Sequence, residues 1–233
     1  LQYQVKSRIF MRLSVVRKKP FKSLNQLPLG FFLEPLNIIK DEIIPITENK
    51  DYSYFLLYLE NKSYFNFTGF SSICAFIPQI NNDLKEILVN GEIIRNGSCI
   101  LLNNIDLEIS KKVSEGIVLI AGTKKNSTTK KKLLTINDIK DHYKVTKPWG
   151  HELWINYGQK DFSFKEVYLK SNNQTSLQYH HFKRETAILY SGKCEVIYKK
   201  DKDVTNDKVI SNNLGKHIID PISIIDIEPN ISS

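Results

Sequence analysis

Apolar residues along this chain come in short runs, each closed by turn residues, and nowhere in the sustained three-and-four spacing of an amphipathic helix. Val5–Val16 alternates loosely between apolar and polar positions and predicts a strand or two. Further β-prone runs lie at Ile38–Ile46, Tyr52–Leu59, Tyr64–Phe70, Ile73–Ile77, Leu84–Val89, Glu92–Ile94, Cys99–Leu102 and Val118–Gly122. Pro20, Pro28, Gly30 and Pro35, then Asn81-Asn82-Asp83, Asn90-Gly91 and Asn96-Gly97, supply the turn chemistry between them. Thr135–Ile139 predicts a short capped turn of helix. Many short, turn-bounded strands predict an all-β chain built as sandwiches or barrels.

The pattern also divides the chain. Gly122–Lys132 is polar and lysine-rich, so the expected boundaries are a β domain over 1–123, a linker over 124–135 and a second domain over 136–233. Gly91–Leu102 aligns without gaps onto Gly215–Asp226, each reading as strand, turn, strand. Phe67-Thr68-Gly69 likewise sits where Tyr190-Ser191-Gly192 sits in the second half. Two similar halves is the economical reading.

Composition changes this picture little. With 41% hydrophobic and 11% aromatic residues, the 233-residue chain can bury real cores. The net charge of +8 comes from lysines that are scattered except at Lys124-Lys125 and Lys130-Lys131-Lys132, without interleaved aromatics, so no nucleic-acid groove is predicted. Such a charge is compatible with a phosphorylated substrate. Cys74, Cys99 and Cys194 are few, odd in number and widely spaced, which predicts buried reduced thiols rather than a disulfide framework. No apolar run approaches the roughly 18 residues of a membrane span. Leu1–Lys19 lacks a signal-peptide core. Cytoplasmic is the expected compartment, with no membrane partner.

Candidate chemistry concentrates in Ser176–Thr186. Gln178 and His180 are two apart and share one side of a strand, and Glu185 follows across a short turn. An amide oxygen, an imidazole and a carboxylate make a plausible set of ligands for a divalent metal. The plain alternative is three polar residues on the wet face of a hairpin. The surrounding residues are more specific. The stretch resembles the first motif of the cupin superfamily, H-x-H, then E, then G, in the variant with Gln for the first His; Glu185 and Gly192 keep its six-residue interval. Lys147-Pro148-Trp149-Gly150-His151-Glu152 resembles the opening of small cupins related to type II phosphomannose isomerases. Such domains also form the C-terminal part of mannose-1-phosphate guanylyltransferases. Ser176-Leu177-Gln178 and Glu185-Thr186 fit the same relatives, and the resemblance spans Val145–Gly192.

That resemblance implies a bicupin of two jelly-roll barrels, the first degenerate, since residues 1–140 contain no histidine and Tyr54–Asn61 was aligned with Gln178–Glu185. It implies a divalent ion, Zn, Mn, Fe or Ni, on Gln178, His180, Glu185 and a further His from a second motif. Ser233 falls where that His is expected, so a domain truncated at its C-terminal end, or a site lacking its fourth ligand, is implied; His217 is the one downstream histidine, on an earlier strand. Lys165 and Arg184 are candidate phosphate contacts beside the site. His181 points away from His180. Phe182, Ala187 and Asn172-Asn173 depart from the relatives where the pocket is framed, so the substrate does not carry over. The implied activity is isomerisation of a sugar phosphate of mannose-6-phosphate type, in nucleotide-sugar or polysaccharide metabolism, with no residue identified as the base. Against it stand a non-catalytic bicupin holding a sugar or small anion and a dimerising β-scaffold. The expected partners are a sugar or sugar phosphate and a second copy in a homodimer.

Overall fold

The computed structural model describes residues 8–16, 31–35, 38–48, 52–60, 64–79, 86–111, 115–124, 131–159, 162–176, 178, 183–199 and 214–227. In chain order its first strands are β1 (Arg8–Val16), β2 (Phe31–Pro35), β3 (Ile43–Glu48), β4 (Ser53–Leu59), β5 (Tyr64–Phe67) and β6 (Ser72–Phe76). Then come β7 (Glu86–Val89), β8 (Glu92–Arg95), β9 (Cys99–Asn103), β10 (Leu107–Lys111), β11 (Gly116–Thr123) and β12 (Leu133–Asn137). A turn of 3-10 helix, Ile139–Asp141, leads into β13 (Tyr143–Lys147), β14 (Gly150–Trp154) and β15 (Ser163–Leu169). The last are β16 (Lys183–Ser191), β17 (Cys194–Lys199), β18 (Leu214–Ile219) and β19 (Ser223–Ile227). The chain is all-β as its pattern predicts, and among the described residues no helix is long and apolar enough to cross a membrane.

The strands group into two compact units that are discontinuous in sequence. Unit one gathers Leu1–Asn37, Lys144–Leu153 and Lys165–Ser233; unit two gathers Ile38–Tyr143 and Trp154–Phe164.

Unit two faces a six-stranded sheet, ordered β12-β9-β6-β11-β4-β3, against a four-stranded one, β5-β10-β7-β8. Phe55, Leu57, Ile73, Ala75, Ile100, Leu102, Val118 and Ile120 of the first sheet meet Phe65, Phe67, Ile87, Val89, Ile94, Leu107 and Ile109 of the second. The other face of the large sheet is buried too. There Phe164 sets its edge against Tyr54 at 5.7 Å and Phe76 at 6.2 Å, and the Cys99 thiol donates to Ile155 O at 3.4 Å. Asn156 braces the covering loop, donating to Phe162 O at 2.9 Å and accepting from Phe164 N at 2.7 Å. Burial on both faces explains why β4, β6 and β11 read as continuous apolar runs rather than alternating ones. The three cysteines are buried and reduced; the hydrogen bond to Cys99, then burial, pushes the Cys74 thiol well up. Asn90 and Gly91, both at positive φ, make the tight β7–β8 turn their dipeptide predicts.

Unit one carries β1, β2, β16 and β19 in a sheet ordered β13-β14-β15-β1-β16-β19-β2, with β17–β18 as a separate hairpin. Leu189, Cys194, Ile219 and Ile225 form its core, with Ala187, Val196 and Ile227 packed against them. The strand predicted in Val5–Val16 is β1, antiparallel to β16 from Phe10 opposite Leu189 to Val16 opposite Lys183.

Two expectations change. Leu133–Asn137 is a strand on β9, not the start of a helical turn; the 3-10 turn follows at Ile139–Asp141. The internal repeat matches strand boundaries but not faces. Ile94 lies in the core of unit two, whereas Ile218, its gapless counterpart, is 64% exposed. The strand pairing supplies the structural alignment. Ile73 opposes Leu102 and Ala75 opposes Ile100 in unit two, as Glu185 opposes Ile227 and Ala187 opposes Ile225 in unit one. The inward side of β16 that carries Glu185 thus compares with the core side of β6 that carries Ile73 and Ala75, whereas Ser53–Leu59 forms β4.

The Pro-Trp-Gly turn tests this packing. Gly150 has φ +153, and a Cβ there would lie 1.9 Å from Tyr168 O. Gly150→Ala is expected to cost roughly 3 kcal/mol or more in denaturant unfolding. Gly158→Ala, at φ +87 with nothing within 4 Å, should cost only about 1–2 kcal/mol.

Candidate metal centre

Strand β16 positions the acidic candidate, Glu185. Its alternation puts Lys183, Glu185, Ala187 and Leu189 on one side and Arg184, Thr186, Ile188 and Tyr190 on the other. Ala187 and Leu189 belong to the core of unit one, so Glu185 points to the interior side, opposite Ile227 of β19. Its carboxylate is 3% exposed and ion-paired with the Lys183 ammonium from the same side. A buried carboxylate needs a cation, and here one is supplied from two residues away.

Gln178 is half-buried and donates to Ser176 Oγ at 3.4 Å. His180 and His181 lie outside the described residues, as does Ser233. Among the described residues no three His, Cys, Asp or Glu side chains come together as a metal cluster. His217 stands opposite Val196, on the same side of β18 as the core residue Ile219.

The two candidate phosphate contacts fall on different sides. Arg184 is on the opposite face of β16 from Glu185. Its Nε donates to Asp226 Oδ1 at 3.0 Å and its Nη2 to Oδ2, a two-pronged bond to the carboxylate on β19. Thr186 Oγ1 donates to the same Asp226 Oδ1 at 2.5 Å. Arg184, Thr186 and Asp226 are all buried, so this guanidinium is committed to holding β16 to β19. The sequence shows the arginine but not the aspartate that claims it, 42 residues away.

Lys165 lies on the interior side. Tyr190 donates to Glu166 Oε2 at 2.5 Å, so the even-numbered residues of β15 and β16 share one face, and Lys165 and Glu185 share the other. The Lys165 ammonium reaches Glu152 Oε2 at 3.2 Å, both side chains being largely buried. His151 stacks on Tyr168 with ring centroids 5.0 Å apart, and burial, then Lys144 and Lys170, lower its affinity for a proton. Lys183, the cation that the structure places on Glu185, lies beside the site in the sequence but is not singled out there; its spacing of two from the glutamate is the signal for the pair.

The second half of this all-β chain thus carries a buried glutamate on the interior side of unit one. Residues 135–221, which include Lys147–Trp154, Gln178, His180 and Glu185, match the family model for the mannose-6-phosphate isomerase C-terminal domain. No curated protein matches the chain.

Two predictions follow from the buried charges. Burial raises the Glu166 carboxyl above its ordinary value near 4.5, against the opposing hydrogen bond from Tyr190. The folded chain then keeps a proton that the unfolded chain has lost, so this group makes stability fall as pH rises from about 4.5 through the raised folded value. Glu166→Gln should flatten that slope in denaturant midpoints taken between pH 4 and 8; an unchanged slope would rule the assignment out. Asp226→Ala should cost about 3–5 kcal/mol by stranding a buried guanidinium, and Arg184→Met combined with Asp226→Leu considerably less.

Proposed function

We propose that unit one is a divalent-metal-dependent sugar-phosphate isomerase of mannose-6-phosphate type and unit two a cupin-like barrel without a metal, so that the chain is a bicupin. The observation that carries this is Glu185, buried and turned inward within the segment that matches the mannose-6-phosphate isomerase C-terminal domain. The residues fit such an ion: the Gln178 amide oxygen, the His180 imidazole and the Glu185 carboxylate are a borderline donor set, and the buried carboxylate calls for positive charge. When bound, the ion supplies Lewis-acid polarisation of the sugar's neighbouring oxygens. Glu185 gives the site its negative charge, and Lys183, on the same strand face, is placed to meet an anionic group once it leaves the carboxylate. Ile73 and Ala75, buried on the core side of β6, support the metal-free reading of that unit.

A second reading, a bicupin that holds a sugar or small anion without turnover, is favoured by the Lys183–Glu185 pair, which neutralises the carboxylate without a metal. One series of measurements separates them. Elemental analysis after dialysis against Mn, Fe, Ni or Zn should give about one ion per chain, lost in His180→Ala and reduced at least tenfold in affinity in Glu185→Gln. Conversion of mannose 6-phosphate to fructose 6-phosphate should follow the bound metal. No metal in the wild type overturns the isomerase, and metal with sugar-phosphate binding but no turnover selects the second reading.

A further inference from the structure

The segment between β12 and β13 is fastened to the β8–β9 turn, Asn96-Gly97-Ser98, by three contacts of different kinds. Ser98 Oγ donates to Asp138 Oδ1 at 3.0 Å. Ile139 lies so close over Gly97 that a Cβ there would meet its Cδ1 at 2.8 Å. His142 Nε2 stands 2.8 Å from Gly97 O. Asp141 N donates to Asp138 O at 2.8 Å and closes the 3-10 turn, and Gly97 N donates to Ile77 O at 2.7 Å and holds the β8–β9 turn in place.

Of the three contacts, that of His142 is the one whose charge changes near neutral pH. A carbonyl oxygen only accepts, so the proton of the neutral ring is on Nε2 and Nδ1 carries a bare lone pair. His142 is 7% exposed, and its buried Nδ1 has no hydrogen-bond partner among the described residues. Its ring packs on apolar Phe76 of β6, with centroids 6.2 Å apart. The β8–β9 turn faces it with uncharged Asn96, Gly97 and Ser98, and Arg95 at the head of that turn is taken by Glu86. Cys99 of β9 gives its thiol to Ile155 O. On its own segment stand Asp138 and Asp141, with exposed Lys140 between them. Burial lowers the ring's affinity for a proton, against the smaller opposing effects of the Gly97 bond and of the Asp141 and Asp138 carboxylates.

We propose that His142 is a proton-operated latch, whose neutral ring keeps Asp138–His142 on the β8–β9 turn and whose protonated ring releases it. A solvent proton that bonds to Nδ1 puts a charge and an N–H without an acceptor into an apolar site. Released, the ring gains water on both counts. The stretch set free is the one through which β12 continues into β13. Next to it in the chain is Tyr143, whose ring stacks on Tyr157 at 4.4 Å, so the exposed surface those two rings share is expected to loosen as well. The latch is closed above the ordinary histidine value of 6.5 and is lost as pH falls from there through the lowered value of the folded chain. It is independent of any metal at Glu185.

Hydrogen exchange of the full chain, read by mass spectrometry and corrected for the intrinsic effect of pH on the rates, tests the latch. Between about pH 8 and about pH 5, peptides covering the β8–β9 turn and Asp138–Tyr143 should lose protection several-fold, while those of β4 and β11 keep theirs. His142→Gln retains a side-chain N–H for Gly97 O but takes up no proton, so protection of both peptides should stop varying with pH. Ser98→Ala removes the tie to Asp138 and leaves the ring intact. A weaker latch yields to fewer protons, so this variant should release at higher pH than the wild type. Wild-type protection that stays constant over the range overturns the proposal, as does an equal loss in His142→Gln. If His142→Gln does not fold, Ser98→Ala decides: a release pH that it leaves unmoved overturns the latch.

Discussion

Strand β16 is buried on both of its sides, and the arrangement of unit one follows from how its polar residues are satisfied there. On one side the guanidinium of Arg184 and the hydroxyl of Thr186 close on Asp226, so that the β16–β19 pairing is held by charge as well as by its ladder. On the other, Glu185 enters an interior otherwise made of Ala187, Leu189, Ile225 and Ile227. A slip of one residue would turn Arg184 into the apolar interior and remove Glu185 from it, a double burial of uncompensated charge. The bond to Asp226 therefore makes the inward direction of Glu185 the only affordable one, and a metal centre built on that carboxylate inherits a fixed strand register.

Much of this was legible beforehand. Turn dipeptides such as Asn90-Gly91 and short β-branched runs were enough for an all-β chain, because both act over a few residues. The spacing of Glu185 and Gly192 matched a strand and the turn that follows it, β16 and Gly192 at positive φ. What escaped notice was of longer range. Arg184 looked like a free cation because its partner is on another strand. The Ile-Ile pairs of β8 and β18 and the apolar runs of β9 and β19 carry no alternation, so they could be aligned a residue out of step, and only burial and strand pairing reveal the faces. Thr135–Ile139 reads as a capped helical turn because Thr135 and Asn137 also suit a cap, while the strand that takes up its first residues pairs with β9, thirty or more residues earlier.

The two units use similar pieces for different ends. In each, a hairpin stands between two paired strands, β7–β8 between β6 and β9, and β17–β18 between β16 and β19. In unit two the intervening core is apolar throughout, and its large sheet is buried on both faces, with Phe164 and the Asn156-braced loop on the far side. Unit one instead keeps ionisable groups on both sides of its sheet, each paired: Arg184 with Asp226, Lys165 with Glu152, Lys183 with Glu185. One unit is a framework held by shape, the other a framework held partly by charge.

The fully buried Ile73 limits what unit two can become. Two residues before it, the spacing at which Lys183 stands from Glu185, is Ser71, whose hydroxyl is already spent on Thr123 O at 3.0 Å. A glutamate placed at position 73 would enter an apolar core with no cation on its own strand face to meet it. The carboxyl would stay protonated, its proton affinity raised by its surroundings, and would offer a metal little charge. A charged site in that interior would therefore require at least a base and an acid acquired together, which no single substitution supplies.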